Sequence, residues 1–150
     1  MSQSITTTAI GVEEELNQIF SSFKKPFHLE SAQLYGVFVS DDETISLTIL
    51  ASQPDVYELL AKPASSYGTK FVTFALVTSG WAAPLNDDGS FDGAPSDHDK
   101  RRRVRLAVVA NADDGVASVL RFKDEPNEVV SDPGSATGSL ANAVSRFVAN

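Results

Sequence analysis

The stretch that most constrains this chain is a double alternation of apolar and polar residues on either side of Asp113-Asp114-Gly115, over residues 103–123. Val104, Leu106, Val108 and Ala110 fall on one side of the first arm, and Val116, Leu120 and Phe122 on one side of the second. A period of two is what a strand with one buried face requires, so the two arms predict a hairpin. A two-residue Asp-Gly turn would pair even with odd positions and set the two apolar faces against each other. A three-residue loop over 113–115 instead places Val108 opposite Leu120 and Leu106 opposite Phe122, with Gly115 in the left-handed position of a bulged turn. The other face then carries Arg103, Arg105, Arg121 and Lys123. The expected hairpin has one apolar side and one cationic side.

The rest of the chain supplies partners for that hairpin. Residues 1–8 read as unstructured. Val12, Leu16, Ile19, Phe20 and Phe23 recur at helical spacing, which predicts a helix over 12–24. Glu13, Glu14 and Glu15 then fall in its first turn and Lys24 and Lys25 at its end, both complementing the helix dipole, and Pro26 stops it. Residues 33–50 predict a second hairpin around Asp41-Asp42-Glu43, with Val37 opposite Leu47. Ser52 reads as an N-cap, with Pro54 in the first turn and Asp55 at the reciprocal capping position of a short helix that buries Val56, Leu59 and Leu60. Residues 71–78 are apolar on both faces, as a central strand is. A long Gly-, Pro- and Asp-rich loop covers 81–101, a loop with two Pro and four acidic residues covers 124–133, and a last helix covers 137–148 with Leu140, Val144 and Phe147 on one face. The order helix, two strands, helix, three strands, helix implies an α+β domain. It is a single mainly antiparallel five-stranded sheet with flanking helices, one domain over 1–150. That order is similar to the order in profilin and roadblock domains, a likeness of topology without a shared residue motif.

A chain of 150 residues is long enough to bury its own core, and the absence of cysteine excludes disulfides, thiol catalysis and cysteine-bound metal. A net charge of −8 argues against general nucleic-acid binding, and no stretch approaches the length of a membrane span. Met1 to Ser4 lead into a Thr-rich stretch without a basic or apolar leader pattern, so a cytoplasmic location is expected. The charge is unevenly spread. Lys100, Arg101, Arg102, Arg103 and Arg105 cluster immediately after a loop containing Asp87, Asp88, Asp92, Asp97 and Asp99.

Four groups of residues suggest chemistry. Asp88, Ser90 and Asp92 stand at positions one, three and five of a calcium-type loop, with Gly93 at six, Ser96 at nine and Asp99 at twelve; a hard cation takes alternating oxygens of this kind. The loop has no flanking amphipathic helix, Pro95 replaces the usual apolar residue, and Asp99 is shorter than the customary Glu. Surface-loop composition accounts for the same residues. The cationic face of Arg103, Arg105, Arg121 and Lys123 suits a phosphate, a nucleic-acid backbone or an acidic protein, or else is neutralised by the acidic loop or by Glu13 to Glu15. Nucleic acid also calls for aromatics among the cations, and the sequence places none on that face. Residues 134–139 resemble a shortened phosphate loop but lack the lysine, and helix capping by Ser135 or Thr137 explains them. His28 and His98 each neighbour carboxylates, and a relay of Ser79, His98 and Asp97 can be drawn, although sequence adjacency supplies none of its geometry. Ser21-Ser22-Phe23-Lys24 matches a short Ser-x-x-Lys pattern without its companion motifs. Trp81, the single tryptophan, stands where the central strand runs into the long loop, as a wall of a cleft, an interface anchor or the end of the core.

The expectation from sequence is a non-catalytic protein–protein association module that joins itself or another protein, with no membrane or nucleic-acid partner and no cofactor. The two-faced strand and the apolar helix stripes suggest a homodimer. The alternative is a small ligand- or calcium-binding or hydrolytic domain with its site in 81–105.

Overall fold

The computed structural model describes residues 4–24, 29–82, 99–131 and 139–149. These form one antiparallel sheet with helices on both faces. In chain order the elements are helix α1 (Ile5–Ser22), strands β1 (Ala32–Val39) and β2 (Ile45–Gln53), helix α2 (Val56–Leu59), a 3-10 turn (Ala64–Tyr67), strands β3 (Thr73–Ala82), β4 (Arg102–Asn111), β5 (Gly115–Phe122) and β6 (Glu125–Ser131), and helix α3 (Ser139–Ala149). The strand order across the sheet is β2-β1-β3-β4-β5-β6. The α+β class is as expected, but the sheet has six strands instead of five. The sixth, β6, comes from the segment read as an acidic, Pro-containing loop. An edge strand tolerates both features because half of its backbone groups face outward.

Strand alternation divides the interior into two cores. Odd-numbered residues of β1, β3, β4 and β5, among them Tyr35, Val37, Ala75, Val77, Ala107, Val109, Ala117 and Val119, pack under α1 through Ile5, Ala9, Val12, Leu16 and Phe20. Even-numbered residues, among them Leu34, Phe74, Leu76, Val108 and Ala110, pack under α2, the 3-10 turn and α3 through Leu59, Ala64, Val144 and Phe147. Phe147 meets the Phe74 ring edge-on, with ring centroids 5.3 Å apart. β3 is thus the central, two-sided strand that its composition implied. Gly36 on β1 has a packing reason, since a Cβ there would stand 2.5 Å from two ring atoms of Phe71.

Several boundaries differ from the expectation, each for a local reason. α1 begins at Ile5 because the Ser4 hydroxyl caps it, accepting from the Thr7 N–H at 3.1 Å. Glu13 to Glu15 therefore lie mid-helix and not in its first turn. α2 is capped by Asp55, whose carboxylate accepts from Tyr57 N–H at 2.8 Å, while Ser52 and Gln53 belong to β2. The β4–β5 hairpin keeps the expected face but pairs two residues away: Leu106 meets Leu120, Val108 meets Ser118 and Val104 meets Phe122. Asn111 is the cause. Its side-chain oxygen accepts from the N–H groups of Asp113 and Asp114 at 3.0 and 2.6 Å, so the loop is 112–114 and closes at Asn111 and Gly115. Gly115 does take a positive φ of 95°. In β2, Leu34 pairs with Ala51 and Tyr35 with Ile49, which leaves Leu50 as a bulge residue. The bulge brings both Leu50 and Ala51 onto the α3-side core.

Candidate functional site

The expected cationic face divides in two. Arg105 and Arg121 are register partners on β4 and β5, and like charges directly opposite are unfavourable unless an anion joins them. The anion is Glu13. Its Oε1 accepts from Arg105 Nη2 at 2.6 Å, Arg105 Nε at 3.2 Å and Arg121 Nε at 2.8 Å, and Asn17 Oδ1 one turn along accepts from Arg105 Nη2 at 3.0 Å. The Arg105 guanidinium also lies 5.1 Å from the Phe20 ring centroid. Glu13 is fully buried, and Arg105 and Arg121 are 1% and 4% exposed. These two arginines are therefore interior residues and do not belong to a docking surface. The reason is that Ala107, Val109, Ala117 and Val119 share their face and draw α1 over it. Neutralisation by Glu13 was among the readings of this face, and the apolar odd positions were the signal for it. Beside the triad, burial raises the Tyr35 phenol above its ordinary pKa, and the positive charge of Arg105 opposes that rise. Its hydroxyl donates to Gln33.

Arg103 and Lys123 lie at the end of the same ribbon, with Arg103 half-buried and Lys123 exposed, and the Lys123 N–H donates to the Arg103 carbonyl at 3.0 Å. Here the register supplies what the sequence order hides: Trp81 on β3 is the cross-strand partner of Arg103. The Arg103 guanidinium lies 3.9 Å from the indole centroid and that of Arg101 lies 4.9 Å from it, so one half-buried tryptophan holds two arginines. An aromatic does stand among the cations after all. Arg102, on the opposite face by alternation, lies 3.9 Å over the Phe122 ring and binds Asp124 at 2.6 Å and Glu125 at 3.0 Å. Hydrogen bonds from Arg102 hold the Asp124 carboxyl below the usual range.

The opposite end of the sheet is acidic. A cleft of about 460 Å³ there is lined by Thr8, Thr73, Asn111 and by Asp41, Glu43, Asp113 and Asp114. Asp42 in the β1–β2 turn has its pKa lowered by hydrogen bonds from Ser40 and Thr44. Among the described residues, no three or more His, Asp or Glu side chains are grouped to hold a metal ion.

Of the proposed calcium loop, Asp88, Ser90 and Asp92 lie outside the described residues; Asp99 is exposed in a turn before β4. His28, His98 and Asp97 also lie outside them, as do residues 134–138. The Ser79 hydroxyl is engaged as an acceptor for Leu29 N–H at 2.7 Å. No helix among the described residues is long and apolar enough to cross a membrane. No protein family, characterised protein or solved structure matches the chain.

Proposed function

We propose that this protein is a non-catalytic association module that docks an acidic protein surface against Trp81, Arg101, Arg103 and Lys123. The observation that carries this reading is the pair of guanidinium groups held by one indole, at 3.9 and 4.9 Å. Tryptophan and arginine are the side chains that most often dominate binding energy at interfaces. Stacking on the indole holds a guanidinium in place, so a stacked arginine has already lost part of the freedom that binding removes. The carboxylates of the cleft at the far end orient the molecule, since an approaching acidic surface is repelled there and attracted at the Trp81 end.

The test is a photo-crosslinking residue at position 81 in the intact chain in its native cell. The reading expects one principal crosslinked protein whose captured peptide is rich in Asp and Glu. Arg101→Glu with Arg103→Glu should abolish the crosslink, while Lys62→Glu, an exposed residue elsewhere, should not. A crosslink unchanged by the double reversal, or no specific crosslink at all, sinks the proposal.

A further inference from the structure

Among the described residues the two edges of the sheet are β2 and β6, and their sequences differ in the features that blunt an edge. Natural edge strands are blunted by charges, proline or shortness, because their outward N–H and C=O groups otherwise recruit another strand. β6 has Glu125, Pro126 and Glu128 in its seven residues. β2 is nine residues long, Ile-Ser-Leu-Thr-Ile-Leu-Ala-Ser-Gln, with no charged residue and no proline. Its bulge at Leu50 interrupts only the far end, leaving Ile45 to Ile49 as a regular run. Within that run Ile49, a large aliphatic side chain opposite Tyr35 on the α1 side of the sheet, is 56% exposed.

The order of residues in the run identifies what covers it. Ile45-Ser46-Leu47-Thr48-Ile49 has the same chemical pattern in both directions: Ile, hydroxyl, Leu, hydroxyl, Ile. An isologous contact needs a surface complementary to itself under a twofold rotation. An antiparallel pairing centred on Leu47 meets that need, with Ile45 opposite the second copy's Ile49, Ser46 opposite its Thr48, and Leu47 opposite its own equivalent. Aliphatic pairs then fall on one face and hydroxyl pairs on the other, both favourable across antiparallel strands. The electrostatics agree. Two copies of a chain carrying −8 repel each other, and β2 is a segment where they meet without juxtaposing charge.

We infer that two copies of this chain associate through β2, edge to edge and antiparallel about Leu47, joining two six-stranded sheets into one continuous sheet. This surface is separate from the Trp81 patch and does not depend on it. An interface of one strand with its flanking side chains is smaller than the standard of about 1,600 Å², which makes the dimer concentration-dependent, not obligate.

The experiment is sedimentation equilibrium of the full chain from about 1 µM to about 500 µM, a range that brackets micromolar affinities. Wild type should move from 16 kDa toward twice that mass across the series. Ser46 and Thr48 are exposed, so substitutions there spare the core. Ser46→Lys with Thr48→Lys sets lysine opposite lysine twice and should weaken the dimer about 10- to 30-fold. Ser46→Lys with Thr48→Glu sets opposite charges in register and should restore it. In a chain without cysteine, Leu47→Cys should give a covalent dimer on mild oxidation. The proposal is overturned by a monomer throughout the series, by a dimer indifferent to the double lysine, or by failure of the Lys/Glu pair to rescue. Arg101→Glu with Arg103→Glu should leave this equilibrium unchanged, which separates failure here from failure of the docking patch.

Discussion

Replacing Glu13 with alanine is the most informative single perturbation of this fold. The side chain is fully buried, and its Oε1 alone accepts hydrogen bonds from two guanidinium groups at 2.6, 2.8 and 3.2 Å. Removing it leaves Arg105 and Arg121, adjacent in register, facing each other without their shared carboxylate. Breaking a buried pair costs about 3–5 kcal/mol, because the remaining charge stays desolvated. At roughly 2–4 °C per kcal/mol for a chain of this size, the midpoint should fall by about 6–20 °C in differential scanning calorimetry. Replacing the whole triad with apolar residues of similar volume (Glu13→Leu, Arg105→Met, Arg121→Met) should recover most of the loss, since an apolar replacement of a buried ionic cluster is often neutral or stabilising. A loss for Glu13→Ala below about 1 kcal/mol, the value of a solvent-exposed pair, would refute the placement of the triad. So would a triple variant less stable than the single one, because desolvated charge could not then be the cause.

Three further outcomes follow from the packing. Gly36→Ala should destabilise the protein by about 1–3 kcal/mol, as overpacking does, since the new Cβ meets the Phe71 ring at 2.5 Å; Phe71→Leu should relieve it, and a urea midpoint at or above wild type for Gly36→Ala would contradict the contact. Because burial makes the folded state hold the Tyr35 proton more tightly than the unfolded chain, that stabilisation is intact below about pH 10 and is lost as pH rises through the folded value. Tyr35→Phe should flatten the alkaline limb of a stability–pH profile, and an unaltered limb would exclude Tyr35 as its source. Asn111→Ala removes the acceptor for two loop N–H groups and the donor to Thr73 Oγ1 at 3.3 Å. It should cost about 1–3 kcal/mol, with faster amide exchange at Asp113 and Asp114 as the local readout.

What could be read from the residues was periodicity, and what could not was pairing between distant segments. The stripe of Val12, Leu16 and Phe20 located α1, and the alternation in β4 and β5 set Arg105 and Arg121 opposite each other on one face. The same alternation also made Ala107, Val109, Ala117 and Val119 apolar on the cationic side, a pattern that means burial on both faces; small side chains give it a weak contrast. Glu13 carries no local sign that it is interior, because its place on the apolar stripe makes sense only when Arg105 and Arg121, 92 and 108 residues away, are set beneath it. Trp81 beside Arg103 is likewise a product of strand register. The turn lies one residue from its expected place for a different reason: the sequence pattern sets Gly115 inside the loop, whereas the Asn111 side chain closes a loop over 112–114 and leaves Gly115 as the first residue of β5. Pro126 and two glutamates concealed β6, since proline and glutamate are depleted in strands and are tolerated chiefly at a sheet's rim.

The span between Glu13 and its arginines has a consequence during synthesis. Glu13 is polymerised 108 residues ahead of Arg121, which at roughly 5–20 residues per second is an interval on the order of 5–20 s. Until β5 is made the first helix lacks the second of its two arginines, while β3 can zip onto β1 and each of β4, β5 and β6 onto its predecessor as it emerges. The carboxylate of Glu13 therefore cannot close on both of its arginines until β5 has been synthesised.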